Sequence, residues 1–119
     1  MTEDRHGRVL VVEDEVLVAM MLEDTLVELG YAVVGLAHRL QDGLCAAERD
    51  DIDVALLDIN LDGQRSLPIA DRLAARGIPF AFSTGYGSVA LGGAHPKVPI
   101  LRKPFSGDDL RRTLAQLRA

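Results

Sequence analysis

Tryptophan is absent from this chain, and only 3 phenylalanines and 2 tyrosines stand among its 119 residues. Any core must therefore be aliphatic. Cysteine is nearly absent too. Cys45 stands alone, which excludes an internal disulfide and fits a reducing compartment, the cytoplasm. Its neighbours Leu44, Ala46 and Ala47 mark it as a buried structural thiol. No apolar run approaches the roughly 20 residues that span a membrane. The polar stretch from Met1 to Arg8, with charges of both signs, is no signal peptide. Basic residues are scattered and the net charge is −5, which argues against nucleic acid as the main partner. No internal repeat and no low-complexity tract occurs. His6, His38 and His95 are single and scattered, the pattern of surface histidines rather than a metal site.

What remains is enough for one domain and too little for two. A single domain over residues 1–119, with its core at about 8–117, can bury most of its apolar surface without staples. The most informative stretch is Val54-Ala55-Leu56-Leu57-Asp58-Ile59-Asn60. A short uninterrupted apolar run suits a strand buried on both faces, as in a parallel sheet. Asp58 then stands at its carboxyl end, the edge where open α/β sheets bind ligands. Val9 to Val12 repeats the pattern and ends in Glu13-Asp14-Glu15. Tyr31 to Ala37, Ile78 to Ser83 and Val98 to Leu101 read as further strands.

Between the strands lie helical patterns. Val18, Leu22, Leu26 and Leu29 form one stripe, which Gly30 terminates. Leu40, Gly43, Leu44 and Ala47 mark a weaker helix, because Gly43 lies inside it. Leu67, Ala70, Leu73 and Ala74 mark a third, with Pro68 in its first turn. Ser106 and Asp109 resemble a capping box ahead of Leu110, Leu114 and Leu117. Leu61 to Ser66 reads as a polar loop, and Asp50, Asp51 and Asp53 as a solvated acidic one. The segment from Gly85 to Pro99 is so rich in glycine that any helix there is short or mobile. Strand and helix alternate about five times, which predicts a parallel sheet with helices on both faces. Right-handed crossovers bring all the carboxyl ends to one edge. On that edge fall Asp58, the Glu13-Asp14 pair, Thr84 and Lys103.

Carboxylates gathered at one edge repel each other unless a hard cation lies between them, and magnesium suits such a site. A lysine offsets charge or holds a phosphoryl oxygen, and a hydroxyl donates to one. These are the parts needed to place a phosphoryl group on a carboxylate. At Val11-Val12-Glu13-Asp14-Glu15, Leu56-Leu57-Asp58, Ser83-Thr84-Gly85 and Arg102-Lys103-Pro104-Phe105 the chain resembles a receiver domain of the bacterial response regulators.

The resemblance implies a flavodoxin-like fold: five parallel strands in the order 2-1-3-4-5, flanked by about five helices. It implies Asp58 as phosphoacceptor and magnesium (or manganese) held by Asp14, by Glu13 through a water, by Asp58 and by the backbone carbonyl of Asn60. Thr84 and Lys103 would hold the phosphoryl oxygens, and the Lys103–Pro104 bond would be cis. The implied partners are a histidine kinase or histidine phosphotransfer protein and a downstream protein, in a cytoplasmic two-component or phosphorelay system. Neither nucleic acid nor membrane is expected as a partner.

The expected role is signalling rather than enzymatic, with no output domain in this chain. Two other readings are a pseudo-receiver that works without phosphorylation and a phosphatase with an aspartyl-phosphate intermediate. The latter usually has a second aspartate two residues after the nucleophile, where this chain has Asn60. One departure concerns the switch. Ile100 stands where family members usually carry an aromatic. Phe82-Ser83-Thr84-Gly85 resembles the Phe-x-Thr-Gly motif of a subgroup with many single-domain members. Tyr86 is then the side chain nearest to Thr84 that could report a change. The segment from Gly85 to Pro99 is expected to be mobile, and a poor dimer surface, until phosphorylation.

Overall fold

A computed structural model describes residues 7–85 and 95–118 of the chain. Its elements are β1 (Arg8–Val12), α1 (Val16–Glu28), β2 (Ala32–Ala37), α2 (Leu40–Ala46), β3 (Val54–Asp58), β4 (Asn60–Leu61), β5 (Gln64–Arg65), α3 (Leu67–Ala75), β6 (Phe80–Thr84), β7 (Ile100–Arg102) and α4 (Gly107–Arg118). Five strands pair in parallel in the order β2-β1-β3-β6-β7, and β4 and β5 form a separate antiparallel hairpin. Counted within the large sheet alone, this is the expected order. The labels run further because the hairpin intervenes. Four helices lie among the described residues. The expected switch at Tyr86 and most of the glycine-rich segment fall outside them.

The apolar strand runs explain the layering. In β1, Val9 and Val11 join the cluster under α1 and α4, while Leu10 and Val12 join the cluster under α2 and α3. In β3, Val54 and Leu56 face the first layer, and Ala55 and Leu57 the second. Every residue of β3 is buried, as a central strand covered on both faces requires. The helices add Leu22, Leu26, Leu110 and Leu114 on one side and Ile69, Ala70 and Leu73 on the other.

Local signals fix the helix ends. After α1, Tyr31 N–H donates to the Leu26 carbonyl and Gly30 N–H to that of Val27, at 2.9 and 3.0 Å. This is the Schellman arrangement, and Ile78 and Gly77 repeat it after α3 on Leu73 and Ala74. The capping box at α4 is reciprocal. Ser106 N–H donates to Asp109 Oδ2 at 3.1 Å, and Asp109 N–H to Ser106 Oγ at 3.0 Å.

Three expectations change. The polar loop after Asp58 is a two-residue hairpin turn, with Asp62 at φ +52° and Gly63 at φ +88°. Both central residues in the left-handed region make a type I′ turn, the preference of an Asp-Gly pair. Cys45 is exposed on α2 rather than buried, because α2 turns Gly43 and not Cys45 to the interior. His95 is no surface histidine. Its ring packs edge-on against Phe80 at 5.5 Å between centroids, and its Nε2 lies 2.9 Å from Asp71 Oδ1.

Gly43 also acquires a reason. A Cβ there would collide with Ile69 Cδ1, the tip of a fully buried side chain, and stand 3.3 Å from Val12 Cγ1, so the missing side chain lets α2 lie close against β1 and α3. Helix propensity alone predicts that Gly43→Ala stabilises α2 by up to about 1 kcal/mol. Overpacking a filled core costs about 1–3 kcal/mol and should win. Urea denaturation should therefore show a lower midpoint for Gly43→Ala. A raised midpoint would mean that the α2–α3 contact yields easily.

Candidate functional site

Alternation along the strands explains how the site assembles. Val11 in β1, Leu56 in β3 and Leu101 in β7 all face the α1/α4 layer. Two residues further on in each case come Glu13, Asp58 and Lys103. The ladders continue past the strand ends, since Glu13 N–H donates to the Ala37 carbonyl at 2.9 Å and Lys103 N–H to that of Thr84 at 2.8 Å. The three polar side chains thus emerge on one face, at the carboxyl edge of the sheet.

There they meet. Lys103 Nζ donates to Asp58 Oδ2 at 3.1 Å and to Glu13 Oε2 at 3.1 Å, and lies 2.9 Å from Glu13 Oε1. Asp14 completes the group: Glu13, Asp14 and Asp58 each offer a carboxylate oxygen within 4.8 Å of the others. Glu13 is 1% exposed and Asp58 7%. Glu13 Oε1 is buried and accepts no hydrogen bond, despite the ammonium nearby. An all-oxygen donor set of three carboxylates within reach of one another fits a hard divalent cation such as magnesium.

The remaining expected residues are placed around this centre. Asn60 N–H donates to Asp58 Oδ1 at 3.3 Å, while the Asn60 side-chain oxygen accepts from Gly63 N–H at 3.1 Å inside the hairpin. Thr84 is buried at the end of β6, one residue beyond Ser83, the register partner of Asp58. It shares its alternation with Phe80 and Phe82 and so approaches the edge from the other layer. Ile100 is exposed on β7, paired with Phe82. The Lys103–Pro104 peptide is cis.

Two participants escape a sequence reading. Asp62 N–H, in the hairpin turn, donates to Asp14 Oδ2 at 3.0 Å. The Asp-Gly pair was a usable signal for that turn. His38, expected on the surface, is half-buried with Nδ1 2.9 Å from the Glu13 carbonyl oxygen. No periodicity announces it, because the contact depends on β1–β2 register. The second acidic group of the chain is consumed elsewhere: Asp53 pairs with Arg8, Asp51 with Arg49 and Asp50 with Arg76.

Crowding sets the proton affinities. Burial pushes the Glu13 carboxyl up to about 7; the Lys103 hydrogen bond opposes this and nearby Asp58 adds to it. Burial also raises Asp58, against the pull of its contacts with Glu13 and Lys103. Lys103 loses by burial but is held above its ordinary value by Glu13 and Asp58. A groove of about 410 Å³ opens beside Lys103, floored by Val18, Met21, Leu22, Phe105 and Leu110.

The family model for the response regulator receiver domain matches residues 9–115. The chain belongs to the response regulator receiver domain family. Among its relatives, the phyllosphere-induced regulator PhyR of Methylorubrum extorquens is 32% identical over 117 residues, covering 95% of this chain and 44% of that protein. The transcriptional regulatory protein PdtaR of Mycobacterium tuberculosis is 33% identical, covering 87% of this chain and 52% of its own. The chain thus spans about half the length of the curated relatives it matches. The solution structure of SdrG from Sphingomonas melonis superposes with a TM-score of 0.85 at 41% identity, covering 100% of both chains. The two curated relatives, PhyR and PdtaR, carry the names of regulators. Among the described residues no helix is long and apolar enough to cross a membrane.

The raised Glu13 pKa gives a signed prediction. A carboxyl with a folded value near 7 and an ordinary value of 4.5 binds its proton more tightly in the folded state. Its stabilising contribution is full below pH 4.5 and is lost as pH rises through about 7. Thermal melting of the metal-free protein should therefore fall over that window, and Glu13→Gln should flatten the fall. An undiminished slope in Glu13→Gln would assign the titration to another group.

Proposed function

We propose that the chain is a phosphoacceptor of a two-component or phosphorelay pathway, modified on Asp58. The observation that carries this reading is the Asp58 carboxylate, buried at a strand end and hydrogen-bonded to Lys103 beside two further acids. A carboxylate oxygen of Asp58 attacks phosphorus in the phosphohistidine of a kinase or phosphotransfer protein. A P–O bond forms, the P–N bond breaks, and the donor imidazole leaves with the electron pair and takes up a proton. Asp14, Asp58, Glu13 through a water and the Asn60 carbonyl would hold magnesium, which supplies positive charge to the transferring oxygens when bound. Lys103, freed from Glu13, turns to a phosphoryl oxygen, and the Thr84 hydroxyl donates to another.

Asn60 weighs against the phosphatase reading. Its side chain is bound into the hairpin and no second acid stands two residues after Asp58. Donor docking is supported by α1, whose Val16, Leu17, Met20 and Met21 are 53%, 75%, 53% and 67% exposed. The groove beside it reaches Lys103, so a helical donor seated there would bring its histidine to the site. Without an aromatic at Ile100, readout falls to the segment between Gly85 and Pro99.

Intact-mass measurement with a small phosphodonor tests the chemistry. Wild type should gain one phosphoryl group with magnesium and none with chelator, and Asp58→Ala should gain none. A modified Asp58→Ala would overturn the assignment. Lys103→Ala should lose phosphorylation or its structural response, and without magnesium it should melt below wild type near neutral pH, because Glu13 and Asp58 lose the ammonium that stands against both. Met21→Glu should slow transfer from a protein donor about tenfold while leaving labelling by the small donor unchanged. Equal slowing with both donors would move docking away from α1.

A further inference from the structure

The parallel ladder between β1 and β2 runs one residue past β1, through the Glu13 N–H to the Ala37 carbonyl. At the next step a side chain takes over. His38, directly after β2, places Nδ1 2.9 Å from the Glu13 carbonyl oxygen. A carbonyl only accepts, so Nδ1 carries the proton in this contact. That carbonyl belongs to the peptide joining Glu13 to Asp14, and its orientation aims the next side chain. The Asp14 carboxylate is gripped from its far end by Asp62 N–H at 3.0 Å. Asp14 is therefore held at both ends, by the hairpin at its carboxylate and by His38 at its backbone.

The half-buried imidazole suits this work. A ring with two torsions loses little freedom on being fixed, and partial burial limits competition from water for the carbonyl. Partners one bond removed from a metal ligand commonly govern affinity through ligand placement.

We propose that His38 is a positioning residue for the cation site: by donating from Nδ1 to the Glu13 carbonyl, it sets where the Asp14 carboxylate stands and so how tightly the site holds a divalent cation. The inference rests on reading the acidic cluster as a cation site. It assigns His38 no contact with the cation or with the phosphoryl group.

Magnesium titration of the full chain, followed by amide NMR shifts, tests it with two substitutions. His38→Phe keeps the ring volume and removes the donor. His38→Asn places an amide donor near the position of Nδ1. His38→Phe should weaken magnesium binding about three- to tenfold, and His38→Asn should stay within about twofold of wild type. Melting without magnesium separates a purely structural role, which would lower the melting temperature of His38→Phe and leave its magnesium affinity untouched. That result overturns the inference, as does His38→Asn binding as weakly as His38→Phe. If wild type itself binds no magnesium, the cation reading fails and this inference fails with it. If wild type binds and His38→Phe binds equally well, only this inference fails.

Discussion

Two carboxylates buried a few ångströms apart are the constraint around which this domain is arranged. Glu13 and Asp58 are both nearly inaccessible, and one ammonium group, Lys103, stands against both. Water would ordinarily stabilise such charges, but here burial raises both acids instead. The arrangement is a compromise in which Lys103 serves two acids. Anything that brings positive charge to the edge relieves it, and anything that adds negative charge must bring its own counter-charge. A concentration of acidic charge is thus built into the packing of β1 and β3.

That compromise is imposed by the fold. Strand alternation sends Glu13, Asp58 and Lys103 to one face because Val11, Leu56 and Leu101 are committed to the α1/α4 layer. A slip of one residue in any of these strands would send its polar group to the opposite layer. The hydrophobic core therefore enforces the register that gathers these three side chains.

Much of this is legible in the sequence. Continuous apolar runs ending in acids announced buried parallel strands, and the order of motifs announced which strand ends would meet. Helix ends are readable at Gly30 and the Ser106–Asp109 box because capping is local chemistry. The misreadings concern contacts between segments remote in sequence. Gly43 looked like a weakness in α2 until Ile69 and Val12 filled the space beside it. His38 and His95 looked superficial because their partners, the Glu13 carbonyl and the Phe80 ring, lie 25 and 15 residues away. Cys45 is exposed against expectation because small apolar neighbours do not say which way a short helix turns. The hairpin alone was missed despite a local signal, the Asp62-Gly63 pair.

The hairpin carries a structural lesson of its own. Its turn supplies the N–H that grips Asp14, and its first residue supplies the N–H that reaches Asp58. The turn is therefore a gauge block: its length measures out the gap between the β1 and β3 carboxylates. Surface turns usually tolerate insertion. Here an added residue would change the width of the site itself, so this short, exposed stretch cannot be exchanged freely between relatives without resetting the cleft beneath it.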